Sequence, residues 1–199
     1  MSNLKTNIIF GTPFFKTNIE NKKLIKELIS YIKKEKNKSK GRIISNQGGW
    51  QSNDLNLKDE PIKHLFNWIN IHLTDFYTAY EFYRKKIIIN NVWANINNYK
   101  DCNQLHNHVS NNSPDFSSVF YLKVKSGKIK FMNPDPFIRY MPLLNKAIPK
   151  FYNLCNSYEY FVEPKPGDLL IFPSTINHLV EPNMDKEPRI SLAFNWSVE

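Results

Sequence analysis

From Asn21 to Lys36, apolar residues return every three or four positions: Leu24, Ile25, Leu28, Ile29 and Ile32. Side chains at that spacing share one face of an α-helix, so an amphipathic helix is expected here, fading into the polar run 36–41. A second stripe, Ile62, Leu65, Phe66, Ile69, Leu73, Phe76 and Tyr80, predicts a helix over about Glu60–Tyr83. Pro61 falls in its first turn, where a missing N–H is tolerated. Ahead of both, Ile8-Ile9-Phe10 and Thr12-Pro13-Phe14-Phe15 read as a short strand broken by proline; between them, Gly48-Gly49-Trp50-Gln51-Ser52 reads as a glycine-hinged turn.

After Lys86 the period shortens. Ile87–Asn97, Ser117–Val124, Lys128–Met132, Tyr158–Val162, Asp168–Phe172, Asn177–Val180 and Arg189–Trp196 are short apolar or alternating runs, parted by Pro, Gly and Asn. Seven or so strands at this spacing predict a mainly β fold with flanking helices. The specific expectation is a double-stranded β-helix, or jelly roll, with both helices packed outside one sheet. The stretch 134–155 is too long for a tight turn and is expected as an ordered loop over one mouth of the barrel. One domain, 1–199, is expected, with 1–86 as helical support and 87–199 as the jelly-roll core.

Composition narrows the classes. The chain has 199 residues, 41% hydrophobic and 23% charged, with no apolar run long enough to span a bilayer. No charged-then-apolar leader opens it, so a cytoplasmic location is expected, in a bacterium or a phage-infected cell. Cys102 and Cys155 form no CxxC, which argues against a zinc ribbon and for a reducing compartment. The net charge of +9 is concentrated in Lys22-Lys23, Lys33-Lys34, Lys36, Lys38, Lys40 and Arg42, with Arg84-Lys85-Lys86. That distribution reads first as a solvated helix face and a polar loop. Nucleic acid is not favoured, because no motif for it accompanies the charge.

Chemistry enters with the histidines. His106 and His108 are two residues apart, so in an extended segment their rings point the same way. His178 lies seventy residues on, just past the strand that Pro166-Gly167-Asp168 launches, and Arg189 with Ser191 opens the last strand. Neutral imidazole suits iron, zinc, copper or nickel, and three facial ligands leave three positions open. A guanidinium fork beside a hydroxyl suits a carboxylate held away from water. His64 and His72, eight residues apart with no partner ligand at helical spacing, are expected to be surface or helix-packing residues. Asn95, Asn97, Asn103, Tyr121 and Asn195 are polar positions in apolar strands; Asn97 and Tyr121 are the two expected to line a cofactor pocket. Trp50, Trp93 and Trp196 are expected as core aromatics.

These runs resemble the 2-oxoglutarate- and Fe(II)-dependent oxygenase superfamily, and within it a group of bacterial and phage oxygenases. The resemblance is carried by Gly48-Gly49-Trp50-Gln51-Ser52, Trp93-Ala94-Asn95-Ile96-Asn97, Asn103-x-x-His106-x-His108 and Val119-Phe120-Tyr121-Leu122. The run Pro166 to Ser174, His178, and Arg189 to Asn195 complete it. It implies a jelly roll, iron held by His106 and His178, and 2-oxoglutarate anchored by Arg189 with Ser191. Most of the superfamily has Asp or Glu where His108 stands. Asp101 and Asp115 are nearby but at the wrong spacing; His108 is the expected third ligand, with a water or one of these aspartates as the alternative. Lys100 and Cys102 occupy positions where a glycine and an aromatic are expected, and Ser118 replaces a glycine. The expectation is a dioxygenase using Fe(II), 2-oxoglutarate and dioxygen, releasing succinate and CO2, and hydroxylating an organic substrate that is a small molecule or a peptide. The rival readings are a cupin-like metal dioxygenase that does not use 2-oxoglutarate, and a non-enzymatic basic β-sandwich binding protein.

Overall fold

A computed structural model describes residues 11–79, 86–109, 114–136, 138 and 156–199. Strand β1 (Phe15–Asn18) precedes helix α1 (Lys22–Lys38), two short strands β2 (Asn46–Gln47) and β3 (Trp50–Gln51), and helix α2 (Glu60–Ala79). Then come β4 (Ile87–Asn97), β5 (Cys102–His106), β6 (Phe116–Lys123), β7 (Ile129–Met132), β8 (Glu159–Val162), β9 (Asp168–Pro173), β10 (His178–Val180) and β11 (Arg189–Val198). A six-stranded sheet runs β1-β9-β6-β11-β4-β3, and a five-stranded sheet runs β2-β5-β10-β7-β8. Together they form the expected double-stranded β-helix.

Period-two alternation decides what each face of the larger sheet does. Val92, Ala94 and Ile96 on β4, Phe120 on β6, and Ile190, Leu192 and Phe194 on β11 point to the helices. There they meet Leu24, Leu28 and Ile32 of α1 and Ile62, Leu65, Ile69, Leu73 and Phe76 of α2, all nearly or wholly buried. At about 25 cal/mol per Å² of apolar surface removed from water, this layer is the main attachment of both helices. The alternate residues face the smaller sheet and build a second cluster that includes Tyr121, Ile129, Phe131, Leu170, Phe172 and Val180.

α1 begins where the periodicity predicts, because the Asn21 side chain accepts from Leu24 N at 3.0 Å and caps the first turn. It runs two residues past the expected end. The early strand lies after Pro13 rather than across it, pairing Phe15–Asn18 with β9; residues 8–10 lie outside the described set. The end of the second predicted helix and most of the stretch 134–155 also fall outside it. The turn at Gly48-Gly49 carries the chain from one sheet to the other. Both glycines have positive φ (68° and 66°), and a Cβ on Gly48 would collide with the Asp101 carboxylate. Strand β5, expected only as a loop leading to the histidines, pairs with both β2 and β10. No described helix is long and apolar enough to cross a membrane.

Candidate metal centre and active site

The inner face of the larger sheet is a ladder of polar residues. Register places Arg189 beside Asn97, Gln51 beside Asn95, Asn95 beside Ser191, and Ser191 beside Tyr121. Trp93 and Ala193 form the next row, and Asn91, Asn195 and Ser117 the one after. A cavity of about 530 Å³ lies against this ladder, closed from the other side by His106, His178, Ile129 and Val180.

The three histidines converge at one end. His106 ends β5 and His178 opens β10, and the two are direct cross-strand partners. His108 lies just beyond β5, where its N–H donates to Ser174 O at 2.9 Å. One nitrogen from each ring lies within 4.8 Å of the others, a spacing that can hold a metal ion. His106 Nδ1 lies 2.7 Å from Gln104 O and His178 Nδ1 3.0 Å from Ile176 O. A carbonyl only accepts, so Nδ1 carries the proton in each ring and Nε2 keeps its lone pair for a metal. Burial lowers the pKa of all three: His178 to about 3 and His108 to about 4, with the neighbouring His106 adding to both, and His106 itself in the same direction. The rings are therefore neutral at physiological pH, the form a metal binds.

Among the described residues no carboxylate joins this cluster. Asp101 accepts from Asn98 N at 2.7 Å under the Gly48-Gly49 turn, and Asp115 accepts from Val198 N at 2.8 Å. Both serve backbone turns and strand ends. His108 is also braced: its ring stacks on Trp93 at 5.8 Å, and Asn195, which accepts from Ser117 Oγ at 2.8 Å, lies beside it on the cavity wall.

Arg189 is the second unusual group. It is 2% exposed, its guanidinium carbon lies 5.0 Å from the Tyr121 ring centroid, and its Nη1 reaches Ser191 Oγ at 3.4 Å. Among the described residues, its Nε and the Tyr121 hydroxyl have no hydrogen-bond partner. Burial lowers the Arg189 pKa from its usual value, and Tyr121, not a carboxylate, is the group that opposes the shift. A buried cation without a counter-ion is costly, so this pocket is built for an anion that arrives with a ligand. Gly127 makes room for it: φ is 84°, and a Cβ there would stand 3.3 Å from Arg189 Cδ.

Several expectations change in detail. Neither Asn97 nor Tyr121 is among the residues that line the cavity; Tyr121 stands behind Arg189, and the Asn97 side chain donates to Asn103 Oδ1 at 3.2 Å while Asn103 donates to Ser45 at 3.1 Å, tying β4 to β5 and the 42–45 segment. Trp93 is buried but belongs to the cavity wall rather than to the core, whereas Trp50 and Trp196 pack in the core as expected. His64 lies 3.2 Å from Glu60 and His72 packs on Trp68, so both are helix residues. The sequence places Arg42 in a solvated basic run, gives no site role to Gln51 or Gly127, and assigns Asn195 none in particular. A signal for Asn195 is present: Arg189, Ser191 and Asn195 alternate with Ile190, Leu192 and Phe194 along β11, which marks an inward polar face.

Residues 91–195 match a family model described as "Putative 2OG-Fe(II) oxygenase". No curated protein matches the chain in sequence. Solved structures share its fold at low identity. A Pseudomonas putida prolyl-4-hydroxylase superposes with a TM-score of 0.66 at 13% identity, over 92% of each chain. The viral collagen prolyl hydroxylase of Paramecium bursaria Chlorella virus-1, in complex with 2-oxoglutarate, gives 0.60 at 13% identity, over 92% of this chain and 94% of that one. HygX from Streptomyces hygroscopicus, with nickel and 2-oxoglutarate bound, gives 0.66 at 12% identity, over 94% and 83%.

Proposed function

The chain belongs to the 2-oxoglutarate- and Fe(II)-dependent oxygenase family, and from that premise we propose how its own residues divide the work. His106, His108 and His178 hold the iron. Arg189, with Ser191 and the Tyr121 hydroxyl, holds the distal carboxylate of 2-oxoglutarate. Bound iron supplies the chemistry that couples oxidative decarboxylation of 2-oxoglutarate, to succinate and CO2, with dioxygen-dependent oxidation of a second substrate.

The protein's part is geometry and environment. Carbonyl contacts at Nδ1 aim Nε2 of His106 and His178 at one point, and Trp93 with Asn195 fixes the His108 ring. Tyr121 stays a neutral phenol, because burial raises its pKa, and so it donates its proton in a hydrogen bond to the carboxylate. Three neutral imidazoles bring no negative charge, so the site is one charge poorer than a two-histidine, one-carboxylate set.

The observation that carries this reading is the buried, uncompensated Arg189 in the same cavity as three converging imidazoles. The substrate is an organic molecule, either peptide or small molecule; the solved proteins of this fold include prolyl hydroxylases and HygX, also solved with hygromycin B. Adding 2-oxoglutarate to the Fe(II) protein under argon should produce a metal-to-ligand charge-transfer band, and admission of air should yield succinate. Absence of both in metal-loaded protein would overturn the assignment.

A further inference from the structure

The cavity has a second polar wall that the anion pocket leaves unused. Gln51 on β3 and Asn95 on β4 are register partners, 3% and 8% exposed, and both line the cavity. Neither Gln51 Oε1 nor Asn95 Oδ1 has a hydrogen-bond partner. Arg42 stands beside them: its backbone N donates to Gln51 O at 2.8 Å, and its guanidinium lies 6.0 Å from the Trp93 centroid. One terminal nitrogen of Arg42 is taken by Asp54 at 2.7 Å, while its buried Nε has no partner. Buried polar atoms are ordinarily satisfied, so orphans gathered on one cavity point to a ligand. Of the five such atoms among the described residues, Tyr121 OH and Arg189 Nε belong to the anion pocket. The other three belong here.

The same ligand cannot serve both walls. Adjacent strands lie about 4.8 Å apart, so Gln51, two strands from Ser191, is roughly 10 Å from it. 2-Oxoglutarate as a dianion carries only acceptors, so it supplies no N–H or O–H to the orphaned Gln51 Oε1 or to Asn95 Oδ1.

We propose that Arg42, Gln51 and Asn95 form the specificity subsite for the oxidised substrate, and that this subsite takes a neutral amide carried on an apolar frame. The inference rests on the function proposed above. Two carboxamide oxygens call for N–H donors and disfavour an anion; Arg42 Nε calls for an acceptor and disfavours a cation. An amide sets donor and acceptor side by side on an uncharged plane. Trp93, with Ile44 and Val109 (65% and 58% exposed), gives the same cavity an apolar lining that reaches the surface. Such an amide is either a peptide bond or a lone carboxamide on a small molecule.

The test uses Fe(II) protein saturated with 2-oxoglutarate under argon, with calorimetric titration of four probes. Isovaleramide or N-methylisovaleramide should bind at least about tenfold more tightly than methyl isovalerate, which has no N–H donor, or isovalerate, which is an anion. Tighter binding of isovaleramide than of N-methylisovaleramide would identify a lone carboxamide as the recognised unit; the reverse order would identify a peptide bond. Gln51→Leu and Asn95→Leu should abolish the preference without lowering the melting temperature, because each removes an unpaired buried acceptor. A purely structural pair would instead melt lower when substituted. Equal binding of amide, ester and acid by protein that shows the 2-oxoglutarate band overturns the subsite, as does a preference that survives both substitutions. Failure of the proposed function looks different: the amide preference persists in metal-loaded protein, but 2-oxoglutarate gives no band.

Discussion

His106 and His178 face each other as cross-strand partners on β5 and β10, with ring centroids 4.3 Å apart. His108, off the strand end, completes the group at 5.4 Å and 5.3 Å from them. A site made this way depends on one strand pairing, and its three members are unequal in how firmly they are held.

His178→Ala should therefore reduce Fe(II) affinity by more than the roughly 10–100-fold that loss of an outer hydrogen-bonding partner costs. Asn195→Ala, which removes the polar neighbour of His108 together with the acceptor for Ser117 but no ligand, should fall within that range. His108→Asp restores a negative charge to the set and should tighten Fe(II) binding. Anaerobic calorimetry with Fe(II) measures all three; an unchanged affinity in His108→Asp would remove residue 108 from the ligand set.

Arg189→Met separates binding from stability. The substitution should abolish the 2-oxoglutarate charge-transfer band at millimolar co-substrate while Fe(II) still binds. The ligand-free protein should melt at an equal or higher temperature, because an unpaired buried charge is replaced by an apolar side chain of similar length. A lower melting point would mean that Arg189 is a structural residue.

Lys100 adopts φ 69°, the left-handed region that costs a non-glycine residue roughly 1–2 kcal/mol. The family resemblance implies a glycine at this position, and the backbone explains why. Glycine removes that strain but adds unfolded-state entropy worth about 0.5–1 kcal/mol. Lys100→Gly should thus raise stability by up to about 1 kcal/mol in urea unfolding. Its N–H bond to Asn183 O, 2.7 Å, is unaffected because it is a backbone contact.

Asp168 gives a pH dependence with a defined sign. Burial works against its carboxylate. Hydrogen bonds from Lys16, Asn18 and Lys165 N nevertheless hold its pKa below the ordinary value of 3.8. A depressed acid stabilises the fold above the unfolded-state pKa, and that contribution is lost as pH falls through the folded one. Asp168→Ala should cost about 1–3 kcal/mol at pH 7, and the gap to the parent should close below about pH 4. Urea titrations at pH 7, 5 and 3 test this; a gap that is constant with pH would exclude an ionised role.

Local pattern was a good guide wherever one element meets one continuous partner. Leu24, Leu28 and Ile32, like Ile62 to Phe76, reveal a buried helix face because every turn contributes to it. β4 was legible to the residue, since Ile87–Asn97 opens on three isoleucines and closes on an Ala-Asn-Ile-Asn alternation. β5 was not: Cys-Asn-Gln-Leu-His carries little β signal, and what makes it a strand is pairing with β2 and β10 on either side.

The candidate site divides in the same way. Sequence alone determined the residue types and faces: the HxH pair, the later histidine, Arg189 with Ser191, and the polar alternation along β4 and β11. It could do so because the period of a strand is local. Only the tertiary structure decided which of these residues meet. It put His178 against His106, left Arg189 buried with no carboxylate beside it, drew Asn97 into a strand-to-strand amide chain, and set Gln51 with Arg42 on the cavity wall. Those outcomes depend on register and sheet order, which long-range hydrogen bonding and packing choose, and no short stretch of sequence contains them.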